Sequence, residues 1–86
     1  RGRVVPFLVR SEVHSPGGAY DPALALEAAQ NEAFALLHGW IPGTLSGVRV
    51  SLAMWRETPP QALPLWDDAS GLWFLSAEYR AVAAPL

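Results

Sequence analysis

Residues 72–83 read LWFLSAEYRAVA, and apolar side chains recur along this run with a period of two. One face of the run is apolar throughout and carries Trp73, Leu75, Ala77, Tyr79 and Ala81. The other face carries Ser76, Glu78 and Arg80 between apolar ends. Because successive side chains of a strand point to opposite sides of a sheet, this pattern predicts a long strand with one face in a core.

A second alternating run lies at the start of the chain, where residues 3–13 read RVVPFLVRSEV. One face is formed by Val5, Phe7, Val9, Ser11 and Val13, of which only the serine is polar. Proline has no N–H to donate to a ladder, so Pro6 favours an edge position for this strand. The following residues 15–18, SPGG, predict a break in the chain.

A helix is predicted from Asp21 to about His38. Asp21 is suited to cap the first N–H groups, and Pro22 has the fixed φ of a first helical position. Gly39 is placed to end the helix in a left-handed conformation. The expected core-facing stripe consists of Leu26, Ala29, Ala33, Leu36 and Leu37.

A third strand is predicted over Val48–Arg56 and ends before Pro59 and Pro60. A short extended piece, residues 62–66, then leads to a polar hairpin loop at residues 67–71. The order is β-α-β-β, and it predicts an α+β fold: a mostly antiparallel sheet of three to four strands with one covering helix. The expected core consists of Val5, Phe7, Val9, Leu26, Ala29, Ala33, Leu37, Val50, Leu52, Trp73, Leu75 and Tyr79.

The composition predicts one small domain over residues 1–86 that needs a partner. Hydrophobic residues make up 51% of the chain and charged residues 16%, against about 25% charged in an average domain. A chain of 86 residues can build one modest core, so part of this apolar surface should be covered by other subunits. The chain begins without methionine, which is consistent with an N-terminal segment that precedes Arg1 in the whole protein.

Charge and cysteine content argue against several classes of protein. The net charge is −2 and the six basic residues, all arginines, are scattered, whereas a nucleic-acid binder needs a clustered basic surface. No apolar run approaches the roughly 20 residues that span a bilayer. Without cysteine, neither a disulfide framework nor a thiolate metal site can form.

No set of residues predicts catalysis or the binding of a metal or cofactor. His14 and His38 are the only histidines, and neither has a third ligand at a supporting spacing. Asp67 and Asp68 fit a hairpin loop better than a calcium site, which needs several ligands at fixed spacings. The Gly17-Gly18 pair lacks the spacing of a phosphate loop. We therefore expect a non-enzymatic protein without cofactor.

The four tryptophans indicate contacts with other proteins, since aromatic side chains without adjacent basic residues favour cores and interfaces over nucleic acids. Trp73 is expected in the core, and Trp66, beside the polar loop, is expected to face a partner. We expect the segment 57–70 to project as an arm. The candidate interface residues are Trp55, Pro59, Pro60, Leu65, Trp66, Asp67 and Asp68.

Residues 33–42, AFALLHGWIP, resemble the helix end and turn, approximately A-x-x-x-L-x-G-W-x-P, of the tail terminator (tail completion) proteins of long-tailed bacteriophages. The downstream order is similar too: a strand at 48–56, an acidic loop at 67–71 and an aromatic-rich final strand at 72–79. The resemblance covers nearly the whole chain. Members of that family usually carry a further N-terminal helix and strand before this region.

This resemblance implies a subunit of a homohexameric ring that caps the tail tube. Such a ring stops tube polymerisation and joins the tube to the head-tail connector protein. The implied partners are other copies of the chain, the tail tube protein and the connector. The implied location is the tail of the virion, assembled in the host cytoplasm, and no enzymatic activity is implied.

Two other functions fit the same residues. One is a small α+β-barrel dimer that binds a ligand or acts as an enzyme, with His14 or His38 in a pocket between paired sheets. The other is an adaptor module that accepts a strand at its open sheet edge. A ring with a central channel, a histidine-lined pocket, or a monomer with an open edge would distinguish the three.

Overall fold

The computed structural model describes residues 2–14 and 21–86. In chain order the elements are β1 (Arg3–His14), α1 (Pro22–Leu37), β2 (Gly43–Leu45), β3 (Val48–Val50), β4 (Trp55–Thr58), β5 (Leu65–Asp67) and β6 (Leu72–Pro85). The expected break at residues 15–18 lies outside the described residues. The predicted ranges of the first strand, the helix and the last strand agree with these bounds to within two residues.

The long final strand β6 is the central strand of the sheet, and β1, β3, β4 and β5 all pair with it. It pairs with β1 antiparallel over twelve residues, from Arg3 opposite Ala83 to His14 opposite Leu72. The odd-numbered residues of both strands share the face that α1 covers. Along β6 every second residue from Leu75 to Ala81 is buried, which confirms the alternation predicted for this run.

The predicted three- to four-stranded sheet is wrong, because the sheet formed by residues 2–14 and 21–86 contains six strands. β5, β4 and β3 follow one another along the side of β6 away from β1, opposite Phe74, Arg80 and Ala84 respectively. β2 then pairs with the outer edge of β3. In the described part of the chain, the predicted β-α-β-β order is therefore replaced by one strand, one helix and five further strands.

The continuous strand predicted at Val48–Arg56 is divided between β3 and β4. Residues 51–54 leave the ladder, so the period of two does not continue through them. Leu52, expected in the core, is 56% exposed as a result, whereas Met54 is buried beside Val50 and Ala81. A register shift follows between Arg56 and Thr58. The two prolines at 59 and 60, which cannot donate to a ladder, then separate β4 from β5.

The hairpin of β2 and β3 was not predicted. Its turn residues, Ser46 and Gly47, have φ angles of +48° and +81°. Positive φ at both central residues is the geometry of a two-residue turn whose twist matches the flanking strands. The Ser-Gly pair between Leu45 and Val48 is the sequence signal for this hairpin.

The helix begins and ends as predicted. The Asp21 carboxylate accepts a hydrogen bond from the N–H of Ala23 at 2.9 Å, with Pro22 in the first turn. Gly39 has a φ of +87°, and its N–H donates to the carbonyl of Met54 at 2.8 Å. The left-handed glycine thus turns the chain so that the helix end is bonded to the segment before β4.

The buried stripe of α1 differs from the predicted one. Leu26 and Gln30 are buried, whereas Ala29 and Leu36 are exposed. Gln30 is 2% exposed, and its amide nitrogen donates to the carbonyls of Val9 and Leu75, both at 3.0 Å. It also lies 3.3 Å from the hydroxyl of Ser11. The apolar period of the helix placed Ala29 against the sheet. Gln30 lies there instead, hydrogen-bonded to β1 and β6.

The expected core is confirmed at four positions, since Leu26, Val50, Leu75 and Tyr79 are buried. It is wrong at Ala29 and Leu52, which are exposed. The remaining expected residues are half-buried: Val5, Phe7, Val9, Ala33, Leu37 and Trp73. The fully buried centre is therefore narrow, because one helix covers only part of a sheet whose central strand has fourteen residues.

The molecule is long for its size. Its dimensions are 51 × 25 × 18 Å and its radius of gyration is 15.3 Å, against about 12 Å for a compact domain of this length. Its accessible surface is 5655 Å², against about 5,000 Å² for a protein of 9.3 kDa. The fold thus leaves more surface exposed than a self-contained domain would.

Candidate assembly interface

Four of the seven candidate interface residues lie together at one end of the molecule. Leu65, Trp66 and Asp67 form β5, opposite residues 74, 73 and 72 of β6, and Asp68 begins the turn between the two strands. Directly opposite residues of an antiparallel pair share a face of the sheet. Trp66 therefore lies on the helix side with Trp73, whereas Leu65 and Asp67 lie on the opposite, open side.

Trp66 is exposed, as expected, and its ring is held in place. It is 45% exposed and contacts Trp73 edge-to-face, with ring centroids 5.3 Å apart. Its indole N–H donates to the Asp68 carboxylate at 2.6 Å. A tryptophan fixed in this way loses little conformational freedom when a partner covers it.

The open side of the sheet carries an ion-pair cluster that joins β1 to β5. Arg10 contacts the carboxylates of Glu12 and Asp67, both at 2.8 Å, and its guanidinium lies 3.9 Å from the ring centroid of Phe74. The hydrogen bond from Arg10 holds the pKa of Asp67 below its usual range, and the same bond raises the pKa of Arg10. Asp67 also accepts from the N–H of Ala69 at 3.0 Å and so orders the turn.

Acidification should weaken this cluster. Because the pKa of Asp67 is lowered in the folded protein, its contribution to stability is present above the pKa of an unfolded aspartate, about 3.9. That contribution is lost as the pH falls through the lower, folded pKa. An Asp67→Asn variant should therefore be less stable than the wild type at pH 7, and the difference should shrink in acid. Chemical denaturation of both proteins between pH 7 and pH 2 measures this, and a difference that stays constant would contradict it.

Trp55, Pro59 and Pro60 are not brought together with the β5 group. Trp55 is half-buried opposite Arg80 on the open side, and its indole N–H donates to Glu57 at 2.8 Å. The two prolines lie between β4 and β5. The Gln61 side chain accepts from the N–H of Ser76 at 3.2 Å, so this segment is bonded to β6. The expected projecting arm is therefore wrong, because β4 before the prolines and β5 after them both pair with β6.

The two histidines lie far apart. His14 is opposite Leu72, whereas His38 accepts a hydrogen bond from the N–H of Arg56, which is opposite Tyr79. Leu72 and Tyr79 are seven residues apart along β6, so the two histidines are separated by about 23 Å along the strand. No group of three metal-binding side chains occurs within residues 2–14 and 21–86. His38 is held between Phe34, at 4.6 Å between ring centroids, and β4, which gives it a structural role at the helix end.

Two open apolar clefts were not predicted. One, of about 350 Å³, is lined by Arg3, Val5, Val48, Ala83, Ala84 and Pro85. The other, of about 460 Å³, is lined by Leu36, Leu37 and Trp40 at the end of α1. Neither is lined by a histidine. The sequence signal for the second was the presence of leucines on more than one side of the helix, which a single core-facing stripe does not explain.

Exposed apolar side chains extend well beyond the predicted site. Within residues 2–14 and 21–86, seven hydrophobic residues are buried, whereas twelve large ones are exposed. The exposed ones are Val4, Leu8, Leu24, Leu36, Trp40, Ile41, Leu45, Leu52, Leu63, Leu65, Trp66 and Leu86. They lie on both faces of the sheet and on the outer side of α1, so the apolar surface is not confined to one patch. In the described part of the chain, no helix has the length and apolar content needed to cross a membrane.

No protein-family model matches this chain, and no curated protein or solved structure is significantly similar to it.

Proposed function

We propose that this chain is a structural, non-enzymatic subunit that assembles with identical copies into a closed ring. The observation that carries the proposal is the mismatch between a narrow core and a large apolar surface. The accessible surface exceeds that of a compact protein of the same mass by roughly 700 Å². Each copy in a ring contributes about 800 Å² to each of its two interfaces, so this excess is close to the contribution to one of them.

The finer assignment rests on the resemblance of residues 33–42 and of the downstream elements to tail terminators. On that basis the ring caps a tail tube and contacts the tube protein on one side and the head-tail connector on the other. A closed ring hides apolar surface without continuing into a fibre, which is what a terminator requires. On the basis of this resemblance, the ring has six subunits. Its place is the virion tail, after assembly in the host cytoplasm, without a cofactor and without direct recognition of nucleic acid.

The first test is the mass and shape of the full-length protein in solution. Native mass spectrometry should give one closed species of six copies at micromolar concentration, and electron microscopy should show a ring with a central channel. Added to purified tail tube protein, the ring should stop tube growth. A monomer across the micromolar range would overturn the ring. A dimer that encloses a histidine-lined pocket would favour the ligand-binding alternative.

A second function is favoured by one observation, the outer edge of β1. Within the described residues this twelve-residue strand pairs only with β6, so its other edge presents unpaired N–H and C=O groups. Such an edge accepts an extended segment of another protein. A monomer that binds an extended peptide along β1, measured by NMR shifts confined to residues 3–14, would support the adaptor function over the ring.

A further inference from the structure

The two ends of the long axis carry opposite charges that form no ion pair within residues 2–14 and 21–86. Arg3 and Arg49 lie opposite Ala83 and Ala84 at one end of β6. At the other end Asp67 lies opposite Leu72, and Asp68 is the next residue. The two ends are about twelve residues of β6 apart, or roughly 40 Å. Arg3, Arg49 and Asp68 take no part in the ion pairs of the described residues, which are Arg10–Glu12, Arg10–Asp67 and Arg80–Glu78. Each end is therefore complementary to the other end of a second copy.

The acidic end also presents an aromatic side chain suited to an interface. Trp66 is fixed against Trp73 and bonded to Asp68, and nearly half of its surface is exposed. Tryptophan is among the side chains that most often carry binding energy when buried by a partner. The exposed Leu65 lies next to it on the strand.

The basic end presents a concave surface of matching chemistry. The cleft of about 350 Å³ lies on the helix side of the sheet, where Arg3 and Val5 pair with Ala83 and Ala81. The apolar cluster of Val50, Met54 and Ala81 lies next to it. The cleft is open to solvent, so a side chain of a second copy can reach it. Among the described residues that line the cleft, Arg3 is the one that is charged.

We propose that the Trp66–Asp68 end of one copy docks into the Arg3 cleft of the next, with the indole in the apolar part and Asp68 paired with Arg3. This inference rests on the proposed homo-oligomer and specifies its contact. Because the two surfaces are different and lie at opposite ends, each copy uses both. Such a head-to-tail contact closes into a ring when its rotation divides a full turn. It also gives the ring two different faces.

Charge reversal tests the contact without disturbing the core, because both side chains lie at the surface. Asp68→Arg and Arg3→Glu should each weaken self-assembly by roughly 10- to 100-fold, since each places like charges together across the contact. An equimolar mixture of the two variants should assemble again. When the two variants alternate around the ring, every second contact pairs the native Asp68 with the native Arg3. The contacts between them pair the two substituted positions, 68 and 3, which again carry opposite charges. Asp68→Asn, which keeps the acceptor for Trp66, should weaken assembly less.

The aromatic part of the contact has a matched control. Trp66 and Trp40 are 45% and 43% exposed, but only Trp66 lies at the acidic end. Trp66→Ala should therefore weaken assembly by more than about 10-fold, whereas Trp40→Ala should leave it within about 2-fold. Sedimentation velocity over a concentration series measures both. Far-ultraviolet circular dichroism should show that every variant remains folded.

The possible outcomes separate this contact from the proposed function. If the wild type forms a closed ring and both charge-reversal variants assemble as it does, the contact is wrong and the ring stands. If each single variant is impaired but their mixture is not restored, the pairing of Asp68 with Arg3 is wrong. A wild-type monomer would overturn the ring and the contact together.

Discussion

Replacing Tyr79 with alanine should remove about 3–5 kcal/mol from the free energy of unfolding, the usual cost of deleting a large buried aromatic side chain. Tyr79 is 0% exposed, lies at the middle of β6 under the helix, and stacks on Phe7 with ring centroids 5.8 Å apart. A domain of this length has a total stability of about 4–13 kcal/mol. The variant should therefore be largely unfolded at room temperature if the wild type lies at the low end of that range.

Tyr79→Phe provides the matched control with the opposite expectation. The Tyr79 hydroxyl is buried without a hydrogen-bond partner among the described residues. Removing an unsatisfied buried polar group should leave the free energy of unfolding unchanged or raise it by about 1 kcal/mol. Urea unfolding of the two variants under identical conditions measures both effects. A loss of more than about 1 kcal/mol in Tyr79→Phe would show that the hydroxyl has a partner.

Gln30→Glu should be about as damaging as Tyr79→Ala, although it replaces only the amide nitrogen by an oxygen. The Gln30 amide nitrogen faces two carbonyl oxygens, of Val9 and Leu75, so this position requires a donor. A carboxylate there would be buried and would point an oxygen at those carbonyls. Burial raises the pKa of a carboxyl group, in documented cases to about 8–9. With an unfolded pKa of about 4.3, keeping this carboxyl protonated in the folded protein at pH 7 costs about 4 kcal/mol, and its single O–H replaces only one of the two N–H donors of the amide.

The sign of the pH dependence follows from that raised pKa. Between the unfolded and the folded pKa, the folded variant binds more protons than the unfolded chain, so its stability falls as the pH rises. The difference from wild type should therefore grow as the pH rises from about 4 toward the folded pKa, and should shrink as the pH falls toward 4. Gln30→Leu, similar in volume and uncharged, should cost about 1–3 kcal/mol at every pH. Equal, pH-independent losses in both variants would contradict this account.

Local elements were predictable from the sequence because their determinants lie close together in it. The alternation in residues 72–83 identified β6 and its buried face, and the Asp21-Pro22 pair with Gly39 bounded the helix. In each case a few adjacent residues supply the geometry: a period of two for a pleated strand, or a cap that satisfies free N–H groups.

The division of β3 from β4 depended on contacts that sequence patterns do not encode. Alternation through residues 48–56 favours one strand, but the carbonyl of Met54 accepts from Gly39 and its N–H donates to Trp40. Backbone groups that bond to the helix end cannot also bond to β6, so the ladder is interrupted there. Pairing partners far apart in the chain decided the outcome.

At the candidate interface, too, the sequence predicted exposure but not the contacts between residues that lie far apart in the chain. The sequence placed Trp66 on the surface, and it is exposed, because an aromatic residue beside a polar turn has little core to enter. It gave no indication that Arg10 bonds Asp67 across the sheet, since 57 residues separate them. Nor did it place Arg3 in a cleft formed with Val48 and Pro85.

By itself, the sequence determined the helix, its two ends, both long strands and an excess of apolar residues over what one small core can hold. The tertiary structure decided how the short strands share one side of β6, which polar side chain lies beneath the helix, and where the excess apolar surface lies. The physical reason is that propensity, capping and periodicity act between neighbours in the chain. Register, burial of Gln30 and the separation of charge between the two ends arise only when distant residues are brought together.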